Sequence, residues 1–221
     1  MFKDIQNIPG LAEVLKSEGI VIAHNITELE DSPWPLKASA GIVLIRAGED
    51  LNRLLQLWWA KPMVNWSALE GKSVLDLASG SALNKEKRLS GHIWYPHFAR
   101  LCAVNGADVT VVDKYLQGEI DRELITEVQI DLVEYVIHDE LSNHPALRNR
   151  TFDIIHSANF IGPRADPGLA NAIRSNTGGM PQRAFEMLML KQCVPLLAPG
   201  GILDLDTVDK SGAIEYFIKR Q

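Results

Sequence analysis

The sequence predicts an α/β protein built on a doubly wound, mostly parallel sheet, with an N-terminal cap and a shortened C-terminal edge. Three observations predict it. From about residue 73, short apolar or β-branched runs alternate with helix-length amphipathic runs, the pattern of parallel strands joined by crossover helices. The apolar run 74–77 ends in small residues, Ala78, Ser79, Gly80, Ser81 and Ala82, where backbone can approach a ligand with no side chain between. The chain has 221 residues, 46% of them hydrophobic and 23% charged, enough for one large core and an appendage.

Each element has a local reason. Residues 74–77 form the first strand. Residues 96–105 read as a helix, with Pro96 in the first turn, Phe98, Leu101, Cys102 and Val104 as its apolar stripe and Gly106 as its stop. Residues 108–112 are a β-branched strand ending at Asp113, and residues 133–137 a third strand ending at His138 and Asp139. Residues 152–156 form a fourth, followed by Ser157, Ala158 and Asn159. The stretch 162–180, rich in Gly, Pro, Asn and Arg, reads as a long functional loop, a second wall of the crevice with Arg164 and Arg174 as anion contacts or plain surface arginines. Residues 181–197 are a long helix with Phe185, Leu188, Met189 and Val194 inward, and Pro199, Gly200 and Gly201 turn the chain into a fifth strand, 202–205. Right-handed crossovers place the ligand crevice at the carboxyl ends of these strands. Residues 1–70 are less regular: helical signals at 11–17 and 50–59, short strand signals at 20–23 and 42–45, and a breaker at 31–35. They read as a cap packed on the core domain 71–221, with Trp58, Trp59 and Trp66 as packing residues.

The formal charge of −6 argues against an extended nucleic-acid surface. No apolar run approaches the roughly 18 residues of a membrane span, and the first residues lack a secretory signal. Cys102 and Cys193 stand far apart in apolar contexts, as buried free thiols of a cytoplasmic protein do. No His, Cys or carboxylate cluster has metal-ligand spacing, and no Gly-x-Ser-x-Gly turn supports hydrolase chemistry.

Several motifs in order resemble class I S-adenosylmethionine (AdoMet)-dependent methyltransferases, over residues 70–208. Asp76 followed by Ala78, Gly80 and Ala82 is similar to the family's acidic residue and Gly-x-Gly-x-Gly turn, with alanine in place of the outer glycines. Asp113 stands where the family has its ribose-binding acid, and Asp139 where it has an acid near the adenine. Phe152-Asp153 resembles the start of the family's fourth strand, and Leu197-Ala198-Pro199-Gly200-Gly201 the approach to its fifth. The resemblance implies a Rossmann-like methyltransferase fold and an AdoMet site formed by Asp76, Ala78, Gly80, Asp113, Lys114, Asp139 and Ser157. In it Asp76 meets the amino group of the methionine portion, Gly80 gives close backbone approach, Asp113 binds ribose and Asp139 the adenine end. Plainer readings stand beside these: Asp113 and Asp139 as helix caps, and Asp153 as a structural residue near the start of its strand, away from the crevice. A nicotinamide or flavin site would need glycine at Ala78, Gly80 and Leu83, so that a pyrophosphate could sit on the helix.

Two departures stand out. Thirty-three residues separate Gly80 from Asp113, where about 20 is usual in this kind of site. The surplus, 83–95, places Lys85, Lys87, Arg88, His92, Trp94 and Tyr95 beside the crevice, as a cationic lid or a solvated loop. Only 13 residues follow Val208, too few for the family's closing strand, helix and antiparallel strand. For the chemistry, methyl transfer needs alignment first and a general base only if the acceptor loses a proton. Candidates are His156, Asn159 and His92, with His156 also readable as a satisfied core histidine. Residues 159–162, Asn-Phe-Ile-Gly, lack the prolines of the family's nucleic-acid amino-methylating branch. The expected acceptor is a small molecule or protein side chain; the alternative is a non-catalytic partner protein that keeps the fold.

Overall fold

The computed structural model describes residues 69–79, 96–115, 124–157, 167–208 and 214–218. The N-terminal cap with its tryptophans, the 83–95 insert and residues 158–166 lie outside them. In chain order the elements are β1 (Ser73–Leu77), α1 (His97–Val104), β2 (Asp108–Asp113), β3 (Ile125–Gln129), α2 (Leu132–Ile137), β4 (Phe152–His156), α3 (Pro167–Asn176), α4 (Gln182–Cys193), β5 (Leu197–Val208) and β6 (Ile214–Ile218). They form one sheet in the order β3-β2-β1-β4-β5-β6. The first five strands run parallel, and β6 is antiparallel to β5. Strand order therefore reverses between β1 and β4, the switch point of a doubly wound, Rossmann-like sheet.

Side chains alternate between the two faces of each strand. One face presents Leu75, Leu77, Val112, Ile155, Leu203 and Leu205 to Val133 and Val136 of α2, Ile173 of α3, and Phe185 and Met189 of α4 in one buried cluster. The other face of β1 and β2 is covered by α1, whose Phe98, Ala99, Leu101 and Cys102 are all buried. Helix α1 ends as its glycine foretells: Gly106 takes φ 87°, and the N–H groups of Gly106 and Ala107 close on the Ala103 and Cys102 carbonyls.

Several sequence expectations are corrected: Val104 and Val194, read as inward, are exposed, and the helix read over 181–197 ends at Cys193. Residues 133–137 are helix, and the third strand is Ile125–Gln129. The β-branched run lost to its flanks. The Asp131 side chain accepts from the Val133 and Glu134 N–H groups and so starts a helix, while Leu132, Val133 and Val136 fall on one buried side. Its end is a left-handed stop: Asp139 takes φ 58°, its N–H donates to the Val136 carbonyl, and the Glu140 N–H donates to the Tyr135 carbonyl. The stretch 162–180 is not one long loop either, since α3 occupies 167–176, buries Ile173 and leaves through Gly178 and Gly179 at positive φ. Arg174, in its last turn, is exposed.

Irregularity is concentrated at the start of β5. Two steps along β4, from Phe152 to Ile154, answer five along β5, from Leu197 to Ile202. The surplus bulges out at Ala198–Gly201, and a side chain at Gly201 would meet the Ala198 carbonyl oxygen at 2.9 Å and the Asp153 carbonyl oxygen at 3.0 Å. Among the described residues no helix is long and apolar enough to cross a membrane.

The short α2 is held from outside by Gln192 of α4. This buried amide accepts from the Leu141 N–H at 2.8 Å and donates to the Val136 carbonyl at 2.7 Å. Replacing Gln192 with Met keeps the volume but strands the Leu141 N–H, while Val136 keeps its bond from Asp139. Urea unfolding should report a loss of about 1–3 kcal/mol.

Candidate functional site

The carboxyl ends of β1 to β4 converge around the switch point, and the chain shapes each end differently. Beyond β1, Ala78 takes φ 54°, a left-handed conformation that costs a residue with a Cβ roughly 1–2 kcal/mol. Its N–H donates to the Val112 carbonyl at 2.8 Å, so the bend is held against β2. This is the position where the resemblance expects glycine, and the backbone bends there as glycine would.

At the end of β2, Asp113 is partly exposed; its carboxylate accepts from the Tyr115 N–H at 3.0 Å and its carbonyl from the Ile130 N–H at 2.9 Å. Next to it Lys114 forms an ion pair with Asp131 at 3.0 Å, side chains 61% and 30% exposed, while its carbonyl accepts from Gln129 Nε2. Such an exposed pair adds little stability. Asp131 thus caps α2 and stands at the carboxyl end of β3, next to the end of β2.

At the end of β4, the Ser157 N–H donates to the Asp204 carbonyl at 2.8 Å. The Ser157 hydroxyl is fully buried and makes no hydrogen bond. Thr110 shares that condition, but in mid-strand, where Ser157 lies at a strand end facing the switch point.

Inside the sheet, one step back from these ends, Asp76 and His156 are register partners across β1 and β4. His156 Nδ1 lies 2.8 Å from Asp76 Oδ1, with both side chains 4% exposed. With the carboxylate ionised, Nδ1 carries the proton and donates. The imidazole stacks on Phe98 of α1, ring centroids 3.6 Å apart and planes 10° from parallel. Burial pushes the Cys102 thiol well up, and the nearby Asp76 charge pushes it further. Asp76 and His156 therefore lie in the layer between sheet and α1. His156 is a buried, hydrogen-bonded histidine rather than an exposed base, and the Asp76 oxygen nearest to it is engaged. In the opposite layer, burial alone pushes the Cys193 thiol up to about 12.

Of the residues singled out in the sequence, Ala78, Asp113, Lys114 and Ser157 come together at strand ends. Asp139 does not. It follows α2, which starts at the crevice and leads away from it, and its carboxylate pairs with Lys191 of α4 at 2.6 Å, exposed. Its place at the end of β3 belongs to Asp131, which the sequence reading missed. The signal was there: Asp131 and Glu134 have the spacing of a capping box ahead of an apolar run. Gly80, His92 and Asn159 lie outside the described residues.

No protein-family model and no curated protein matches the chain. Among solved structures it is similar to the MycE methyltransferase from the mycinamycin biosynthetic pathway. In one crystal form with Mg and SAH the match has a TM-score of 0.37 and 15% identity, covering 82% of this chain and 44% of that one. The complex with Mg, SAH and mycinamycin VI gives a TM-score of 0.37 and 15% identity over 81% and 43%. The chain thus spans less than half the length of the structures it matches. At this distance the assignment of fold rests on the strand order itself.

The strained bend makes a direct test. Ala78→Gly should raise stability by about 0.5–1 kcal/mol, the relief of the left-handed alanine exceeding the added chain entropy of glycine. Thermal or urea unfolding measures it; a destabilised variant would mean that the packing of the alanine methyl on the core outweighs the strain of the bend.

Proposed function

We propose that the chain is an AdoMet-dependent methyltransferase that transfers the methyl group in line to a small molecule or a protein side chain. The single observation that carries this reading is the direction of β6. The dinucleotide-binding sheet continues past β5 with a parallel strand. Here the neighbour of β5 is antiparallel, as the last strand of the methyltransferase family is. Among the described residues β6 stands where the family's closing strand, helix and antiparallel strand would follow.

The residues present fit the cofactor by their chemistry. Ala78 supplies a bent backbone whose methyl packs on the core, where a sulfonium amino acid can come close. Asp113 has a carboxylate partly exposed at the end of β2, suited to a pair of ribose hydroxyls. Asp131, in place of Asp139, offers an acceptor near the adenine end, and Lys114 orients it. The orphaned Ser157 hydroxyl offers a hydrogen bond that the protein itself leaves unmade. When bound, AdoMet supplies a methyl group already activated on sulfur. The chain's own residues then have to bind, orient and exclude water. His156 is sealed beneath α1, so proton removal from an acceptor falls to another group.

Thermal shift decides between this and a partner protein that only keeps the fold. The demethylated product, S-adenosylhomocysteine, should raise the melting temperature, by the equivalent of roughly 2.7 kcal/mol at a hundred times its Kd, and NAD should not. No shift with either favours the partner role. Within the site, Asp113→Ala and Asp131→Ala should each weaken binding of that product by roughly ten- to a hundredfold, as loss of a charged hydrogen bond does. Asp139→Ala should leave it unchanged. The reverse ranking of Asp131 and Asp139, read by titration calorimetry, would remove Asp131 from the site.

A further inference from the structure

The boundary between β1 and β4 is the shortest ladder in the sheet. β1 shares five register pairs with β2 and only three with β4, from Val74–Ile154 to Asp76–His156. It is also closed by residues about eighty positions apart in the chain. Side chains reinforce it at both ends. At the amino end, the Ser73 N–H and hydroxyl both donate to Asp153 Oδ2, at 2.9 and 3.1 Å, and the Asp153 N–H donates back to Ser73 Oγ at 3.1 Å. At the carboxyl end the last register pair is bonded through its own side chains, His156 Nδ1 to Asp76 Oδ1. Phe98 covers the imidazole from α1, and Asp204 of β5, itself buried, is the next register neighbour of His156.

We infer that Asp76 and His156 are positioning residues, a latch that holds the carboxyl ends of β1 and β4 together and so sets the spacing between the Ala78 bend and Ser157. Two residues after Asp76 comes the strained alanine, and directly after His156 comes the orphaned serine. Neither latch residue needs to touch a ligand. A parting of the two ends moves both flanking groups at once, whereas the Ser73–Asp153 tie at the far end stays closed. The consequence for cofactor affinity rests on the proposed function; the latch itself does not.

The test is amide hydrogen exchange on the whole chain, comparing His156→Gln with His156→Asn. An asparagine amide nitrogen takes the place of Nδ1 and can still donate to Asp76, whereas a glutamine places its amide one atom further out. His156→Gln should lower protection of the amides of positions 77 and 156 by about ten- to a hundredfold, the worth of one hydrogen bond to a charged group. The Ala78 and Ser157 amides point to β2 and β5, so by strand alternation their neighbours at 77 and 156 point across the join. The Ser73 and Asp153 amides should keep theirs, and His156→Asn should restore the two that were lost. Should His156→Gln not fold, Asp76→Asn, which keeps a weaker acceptor in place, should show a smaller loss at the same two amides. An equal loss at both ends of the strands, or no difference between the asparagine and glutamine variants, overturns the latch. In parallel, S-adenosylhomocysteine affinity should fall with the glutamine variant and return with asparagine. If the unaltered protein does not bind that product, the methyltransferase reading fails, while the exchange data still decide the latch.

Discussion

The constraint on which the structure turns is the join between β1 and β4. Parallel strands cannot be linked by a tight turn, so this pair is brought together only after α1, β2, β3 and α2 have been laid down to one side. Ordering so much intervening chain opposes the pairing, and the short ladder between the two strands returns little backbone hydrogen bonding. Side chains make up the difference. Two aspartates do this work from opposite strands: Asp153 reaches from β4 to the backbone of β1, and Asp76 from β1 to a side chain of β4.

Burial divides the polar groups of the described residues into distinct kinds. Gln192 has both amide ends bonded and acts as an internal brace. Asp76 and His156 satisfy each other, and breaking such a buried pair from one side leaves a charge with no water near it. The Ser157 hydroxyl belongs to neither kind. A buried hydroxyl without a partner costs stability, and at the end of a strand beside the reversal of strand order that cost is where ligand sites are found.

Much of the fold was legible in the chain, and the misses have physical causes. β1, β2 and β4 are short apolar runs that pattern alone locates, whereas β5 runs from Leu197 to Val208 with its Pro-Gly-Gly turn inside the strand, so only its 202–205 part was legible. The run 133–137 has strand composition, but a capping aspartate before it and a left-handed stop after it outweigh β propensity over so short a stretch. That error also placed the acid that follows the third strand at Asp139 instead of Asp131. The turn-forming composition of 162–180 hid α3, whose place depends on burying Ile173 in one cluster with α2 and α4. The places of Ala78 and Asp113 at strand ends were readable because the apolar runs before them are. The Asp76–His156 partnership was not, because it exists only once the register of β1 against β4 is known. The cap and the 83–95 insert fall outside the described residues.

The charged contacts are also sorted by depth, with a consequence for how the protein meets its surroundings. Lys72–Asp153 and Arg150–Asp108 at the amino ends, and Lys114–Asp131 and Lys191–Asp139 elsewhere, all involve side chains open to water. Dissolved ions reach these readily, since at physiological strength fields between exposed charges fade within about 8 Å. The Asp76–His156 contact lies where dissolved ions do not go. A rise in salinity therefore slackens these outer contacts and leaves the central junction of the sheet almost untouched.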